Sequence, residues 1–353
     1  MTHLVLEDRW KLASHIQKAV RRGLADEAEW GVRQLWPLDH AYLRTRLAVI
    51  AVEDVAGASE DVVLEHFGPG WHKRELDARG GVEAIVTAAR AFAEAEKDRT
   101  ACDFWSCRHW MREFTAHHGS WLDLTVPEAI GIALDRTQPW WARGLGAWRA
   151  VGTKAFSDRA EVLPSVAGDP KLWAEACAEL RLSATRMEVL TKAGKAQAEP
   201  HPVFLPLAWS IRDAELGQPA RKPRPLVDLG KVGPWLSCAL DGHTAEGRAS
   251  LRKVLAQNPS GVSFLAAHGR TDELAVHAVA KLWFLMEGGH CTRLRSYPTA
   301  DRIGADIRQR FLSTPQPMNG TELYHHFGHP EQWQEARLSV MGQSPRPPRP
   351  RLF

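Results

Sequence analysis

Strand-like alternation of apolar and polar residues is scarce along the 353-residue chain, which leaves sandwiches and barrels without their characteristic pattern. Nowhere do about 18 apolar residues follow one another, so no membrane-spanning helix is expected. Cysteine is limited to five residues, an odd number, and the N-terminus reads as a charged amphipathic helix rather than a secretory signal. Both features argue against a disulfide framework and for a reducing cytoplasm. Neither sign of charge dominates: 45 Lys and Arg against 42 Asp and Glu leave a net +3, so the uneven placement of arginine matters more than the total. The phosphate loop G-x-x-x-x-G-K-[ST] is missing. Its nearest approach, Gly146 to Lys154, has the wrong glycine spacing and no hydroxyl residue after the lysine. Tyrosine is rare, three against fifteen tryptophans; tryptophan buries large areas and favours interfaces, though many here fall on helix stripes.

Helical spacing is abundant. From Asp8 to Ser59 the pattern predicts three helices in close succession. In the first, Leu12, Ile16, Ala19, Val20 and Leu24 share a stripe, and Arg21 and Arg22 sit at the C-terminal end, where the helix dipole favours cations. Asp26 is expected to cap the second, with Glu29 completing a capping box. Ala28, Val32, Leu35 and Trp36 form its stripe, and Pro37 stops it. Asp39 caps a third, with Leu43, Leu47, Ile50, Ala51 and Val55 facing inward. The short connections predict antiparallel packing.

Two runs within this stretch, K-A-V-R-R-G-x-x-D-E-A (Lys18–Ala28) and D-H-A-Y-L-R-T-R-L-A-V-I-A-V-E-D-V (Asp39–Val55), carry a resemblance. Together with A-E-A-E-K-D-R (Ala93–Arg99), they resemble the helical C-terminal region of the RarA/MgsA (Werner-interacting) branch of the clamp-loader AAA+ ATPases. The likeness covers roughly residues 8–120 and fades beyond. In that family the region follows the ATPase module and helps to build an oligomeric collar. The resemblance therefore implies a collar-like fold and a place in DNA replication or repair rather than a reaction. A collar-like segment beginning at residue 8 leaves no room for an ATPase ahead of it, so the expectation is a collar without the motor. Such a motorless piece standing alone points to a phage or mobile element. It also implies a structural role for the Glu53–Asp54 pair.

The remainder also reads as all-α, with further helical layers and a disordered Pro/Arg tail. Expected divisions are 1–120 (collar-like), 121–216 (second helical region), 217–235 (proline-rich basic linker or excursion), 236–342 (C-terminal helical region) and 343–353 (tail). Helices are predicted after Gly80-Gly81, over 101–118, and after the Thr125–Glu128 capping box with Pro127 just inside. Others follow Asp169-Pro170, span Ala245–Gln257, and cover Asp272–Glu287, the last apolar nearly all round (Leu274, Val276, Val279, Leu282, Trp283, Leu285) and so expected to be buried. Residues 299–312 place Ile303, Ile307 and Phe311 on one face, and a final helix holds Trp333, Ala336 and Val340.

Four constellations could carry function. Arg46 and Glu53 lie two turns apart on one helix, and Asp54 stands beside Glu53 near its C-terminal end, where a carboxylate opposes the dipole. Cations must compensate, and Arg21, Arg22 and Arg44 are the candidates; Arg44, Arg46, Glu53 and Asp54 are expected as structural ion pairs. Cys102-x4-Cys107-x-His109 is the nearest approach to a zinc site, but a five-residue step on one helix turns the sulfurs about 140° apart. No metal or other cofactor is expected. Asp241-x-His243 offers a carboxylate and an imidazole, with Thr244 as the cap of the following helix and Gly247 in its first turn. Arg221, Lys222, Arg224, Arg293, Arg295, Arg302, Arg308 and Arg310 could track a phosphate backbone. The final Arg351-Leu352-Phe353 is similar to the Leu-Phe endings of sliding-clamp ligands, without their glutamine, so Leu352 and Phe353 are candidate anchors for a partner. The sequence thus favours a non-catalytic oligomerising or adaptor protein, partnered by itself or by a host replication protein. The alternatives are a DNA-binding protein using its arginine-rich C-terminal half, or a metal-dependent hydrolase built on Asp241/His243 or on the Cys102/Cys107/His109 cluster.

Overall fold

Residues with good helical spacing become helices throughout, and the computed structural model is all-α apart from one short hairpin. It describes residues 2–67, 73–152, 166–180, 182–196, 201–218, 228–295, 297–313 and 320–343. The first helix, α1 (Thr2–Arg22), is the axis of the molecule. Every residue from Lys11 to Arg22 is buried, the polar ones included. This corrects the expectation of a one-sided stripe: the apolar face packs on neighbouring helices, and the polar face is covered too. Leu24, expected on the stripe, is outside the helix and 38% exposed.

Helix α2 (Ala25–Ile50) packs along α1, and Gly31 permits the contact, since a Cβ there would lie 2.6 Å from Ile16. The expected break at Pro37–Asp39 is a kink rather than a loop. Asp39 leaves helical geometry (φ −160°, ψ 82°) and its carboxylate accepts the Tyr42 N–H at 2.8 Å, capping the second half. The capping box expected at Asp26 and Glu29 does not form. Leu24 occupies the cap position, and both acids instead accept from Arg90. At its end α2 widens into a π-helical turn, Ala51–Val55.

Short helices α3 (Glu60–Phe67) and α4 (Lys73–Ala78) lead to α5 (Val82–Glu94), which lays Ile85, Val86, Ala89, Phe92 and Ala93 against the first two. The single helix expected over 101–118 is broken: α6 (Thr100–Phe104) tightens into a 3₁₀ segment, Trp105–Trp110, before α7 (Met111–His118). Helix α8 (Val126–Leu134) has the Thr125–Glu128 capping box and packs on α9 (Trp140–Val151). Asp169 caps α10 (Pro170–Cys177), followed by α11 (Ala184–Ala196) and α12 (His201–Ala214), whose Phe204, Leu205, Leu207, Ala208 and Trp209 are buried.

The interval read as linker or excursion ends in an antiparallel hairpin, β1 (Lys231–Val232) and β2 (Trp235–Leu236). Its Val232, Trp235 and Leu236 belong to the larger of two apolar cores, which runs from Leu12 to Leu240 and takes in Ile303 and Ile307. The smaller core gathers Leu251 to Trp283 with Leu323, Phe327, Trp333 and Ala336. It is built by α13 (Ala245–Ala256), α14 (Pro259–Ala267), α15 (Asp272–Trp283), α17 (Gly320–Phe327) and α18 (Pro330–Gln343), while α16 (Pro298–Ser313) returns to the larger one. Helix α15 is not apolar all round in its setting: Val276, Val279, Leu282 and Trp283 are buried, but Leu274 is 53% exposed. A second π-helical turn, Phe284–Gly288, ends it. Among the described residues no helix is long and apolar enough to cross a membrane.

Candidate functional site

The two arginines that end α1 organise the polar interior. Arg21 Nε donates to both carboxylate oxygens of Asp54 at 3.0 Å, and its Nη2 reaches Glu53 at 2.7 Å. Arg99, just ahead of α6, closes the other side on Asp54 and also reaches Glu53 at 3.3 Å. Arg22 turns the opposite way, to Asp228 at 3.1 Å and to Glu287 at 3.8 Å. Arg337 from α18 grips Glu287 at 2.9 Å. Three of these acids sit on π-helical turns, Glu53 and Asp54 on Ala51–Val55 and Glu287 on Phe284–Gly288. A π turn adds a residue to the helical repeat, which re-aims the side chains at its end. The Phe284 ring lies about 6 Å from Lys18, Arg21 and Arg99, close enough for cation–π attraction.

Chain connections tie the same point together. Asp98 N donates to the Asp54 carbonyl at 2.9 Å, Thr292 N to the Arg21 carbonyl at 2.8 Å, and Lys97 N to the Arg293 carbonyl at 3.1 Å. Lys97 is fully buried, and burial pushes its amine down to about 8. Burial opposes the charge on Arg99, but the carboxylates of Asp54 and Glu53 outweigh it and raise its affinity for the proton. For Glu287 burial prevails over Arg337 and raises the carboxyl above its ordinary value.

Further up α1 the polar face continues at helical spacing. Lys11 pairs with Glu246 at 2.7 Å, and Lys18 with Asp241 at 3.0 Å. Between them His15 accepts the Leu236 N–H of the hairpin at 3.3 Å and faces Glu27, also at 3.3 Å. Trp30 and Trp235 wall it in, at 4.8 and 6.2 Å between centroids. Burial pushes its imidazole down to about 4, against the pull of Glu27.

The structure brings only some of the anticipated residues together. Glu53 and Asp54 share one buried cluster, and Arg46 joins through Gln17, which accepts from Arg46 at 2.6 Å and donates to Glu53 at 2.9 Å. Arg44 is half-buried on the same half of α2. Arg22, offered as a partner for Glu53 and Asp54, serves Glu287 and Asp228 instead. Arg99 and Glu287 were not singled out. The only sequence signal for Arg99 is its place in the K-D-R run, and Glu287 has none.

The cysteines do not converge. Cys102 lies against Arg99 and Glu53, at 3.0 and 3.4 Å, whereas Cys107 faces Gly144 of α9. Burial drives both thiols well above their ordinary values. It pushes the His109 imidazole down to about 3. Among the described residues no group of three or more His, Cys, Asp and Glu side chains is arranged to hold a metal ion. Asp241 and His243 do meet, at 3.2 Å, but Asp241 is also held by Lys18, Ser14 and the His243 N–H. Burial opposes its charge, yet Lys18 and His243 hold it far below the usual carboxylate range. An acid held so far down is a poor proton acceptor.

Among the described residues, the C-terminal arginines are engaged separately. Arg310 bonds Glu113 and lies 5.2 Å from the Trp110 ring, Arg293 donates to the Glu94 carbonyl, and Arg295 pairs with Glu96. Arg302 donates to Thr299, and Arg308 lies near enough to favour charge on Asp103. On α16 the spacing of Arg302, Arg308 and Arg310 sends them in three directions. Arg221, Lys222, Arg224, Leu352 and Phe353 lie outside the described residues. A depression of about 350 Å³ beside the end of α7 and along α8 is lined by His118, Leu124, Glu128, Gly131, Ile132, Asp135 and Gln138. Its two acids are engaged in local turns, Glu128 with Thr125 and Asp135 with Thr137. No family model, curated protein or solved structure matches the chain.

Proposed function

We propose that this protein is a non-catalytic oligomerising or adaptor component of DNA replication or repair, with a collar-like body whose sequence carries no phosphate loop. One observation supports the reading. The three stretches that resemble the clamp-loader-like collar converge at one buried point: Arg21 of the first, Glu53 and Asp54 of the second, and Lys97 to Arg99 of the third. The residues that carry the likeness are therefore those that fix the helices to one another, as a structural module requires. Their carboxylates are held by guanidinium groups in the interior, an arrangement suited to rigidity rather than turnover.

Light scattering over a wide protein concentration tests the self-assembly half, with a homo-oligomer expected; a strict monomer throughout removes it. Binding to purified clamp and clamp-loader subunits tests the adaptor half, and failure to bind any of them removes that. Filter binding of duplex DNA over a salt series separates the rival reading. A steep log–log slope, as many phosphate contacts produce, would favour direct duplex binding.

A further inference from the structure

Arg270, in the turn between α14 and α15, departs from the pattern of the other buried arginines. Each of those donates to a carboxylate or a carbonyl, as Arg186 does to Glu60 at 2.9 Å and Arg143 to the Ala133 carbonyl at 3.0 Å. Arg270 is only 6% exposed, and its Nε and Nη2 are shielded from water and have no acceptor among the described residues. Its backbone is fixed, because its N–H donates to the Leu265 carbonyl and that of Gly269 to the Ala266 carbonyl, both at 2.9 Å, a paired closure of the α14 end. Two acids follow it and neither pairs with it: Glu273 is bonded to Arg252 at 2.7 Å, and Asp272 is exposed. Burial lowers the proton affinity of Arg270, and no described carboxylate offsets that.

We propose that Arg270 anchors a binding site for a small, singly charged oxyanion, the carboxylate of a free small molecule. A buried charge without a counterion is strongly unfavourable, and the planar guanidinium fork matches the two oxygens of a carboxylate. The neighbouring charges select a monoanion. One negative charge cancels Arg270, whereas any further charge is repelled by Asp272 and Glu273, the next acids along the chain. That same pair disfavours nucleic acid and other polyanions. Helix α15 begins two residues on, and Thr271 at its cap position makes no side-chain cap bond, so the helix start adds a weak field of the right sign. The small fraction of Arg270 left exposed admits an ion rather than a segment of chain. The inference does not rest on the collar reading.

The test is urea denaturation of the full chain as sodium acetate replaces sodium chloride at constant ionic strength. By mass action, a site with a Kd of about 5 mM raises the folding equilibrium constant about ten-fold at about 50 mM acetate. Arg270→Met removes the charge and keeps the length of the side chain. It should show no acetate response and, without acetate, should be at least as stable as the parent, since an uncompensated charge gives way to an apolar chain. Arg270→Lys keeps the charge without the fork and should retain a response several-fold smaller. The difference between parent and variant cancels general salt effects. Four results would overturn the proposal: a parent response no larger than that of Arg270→Met, Arg270→Met less stable than the parent without acetate, a larger response to the dianion malonate than to acetate, or stability that rises with protein concentration and not with acetate. The last would assign the missing carboxylate to a second copy of the chain.

Discussion

Asp54 shows how a residue unfavourable by local rules becomes central through distant ones. A carboxylate near a helix C-terminus opposes the dipole, and taking it out of water costs several kcal/mol more. Arg21, 33 positions earlier, and Arg99, 45 later, offset both by bonding its two oxygens. The sequence betrays that compensation is needed but not which cations supply it, because nothing local distinguishes Arg99 from Arg44. Asp54→Asn keeps the shape and removes the charge, leaving two buried guanidinium groups with Glu53 alone between them. The expected loss is about 3–5 kcal/mol, a large share of the roughly 5–15 kcal/mol that stabilises a typical protein. Urea denaturation measures it. Arg46→Gln, on the half-buried rim of the same network, should cost under about 1 kcal/mol. Equal losses for the two variants would mean that the cluster does not carry the stability assigned to it.

At the scale of elements, helices and several of their ends were legible. Asp39, the Thr125–Glu128 box and Thr244 act as the caps their residue types suggest. Gly247 has to be glycine, since a Cβ would fall 1.8 Å from the Asp241 carbonyl oxygen. What local pattern could not disclose is that α1 is buried on its polar face as well. Lys11, His15, Lys18 and Arg22 look like a solvated stripe, and their partners stand more than 200 positions away at Leu236, Asp241, Glu246 and Glu287, apart from Glu27 beside His15. The two-residue strands of the hairpin are too short to give an alternating pattern. His15 makes this docking dependent on pH. Its folded value of about 4 lies below the ordinary 6.5, so the unfolded chain binds the extra proton first as pH falls. Stability is therefore intact above about 6.5 and declines toward 4, by roughly 2 kcal/mol between pH 7 and pH 5. Protonation also removes the acceptor for the Leu236 N–H. Urea midpoints at the two pH values measure the decline. His15→Gln should flatten it by that amount; a slope unchanged by the substitution would show that other groups set the acid limit.

Across the whole molecule, two apolar cores meet through charge rather than through a continuous apolar surface. Along the length of α1, Lys11, Lys18 and Arg22 face Glu246, Asp241 and Glu287, all at or near the edge of the smaller core. Glu287 holds the most exacting position. It is almost wholly buried and stands between Arg22 of the larger body and Arg337 of the smaller, whose guanidinium also lies 4.8 Å from Trp283 and donates to Ser237 at 2.9 Å. Removing one partner of a buried ion pair leaves an uncompensated charge, so this joint should fail before either core does. Glu287→Gln preserves the volume and leaves Arg22 and Arg337 repelling one another across a neutral amide. Helices α13, α14, α15, α17 and α18 should then open as a separate unit at lower denaturant than the larger core, with α16 staying with the larger core. Hydrogen exchange read peptide by peptide distinguishes the outcomes. In the parent, α13 and α15 should share the protection of α2 and α5; in the variant, α13, α15 and α18 should exchange faster while α2 and α5 keep most of theirs. Uniform loss over both cores would mean that they form one cooperative body, with Glu287 contributing to its stability everywhere rather than to the joint.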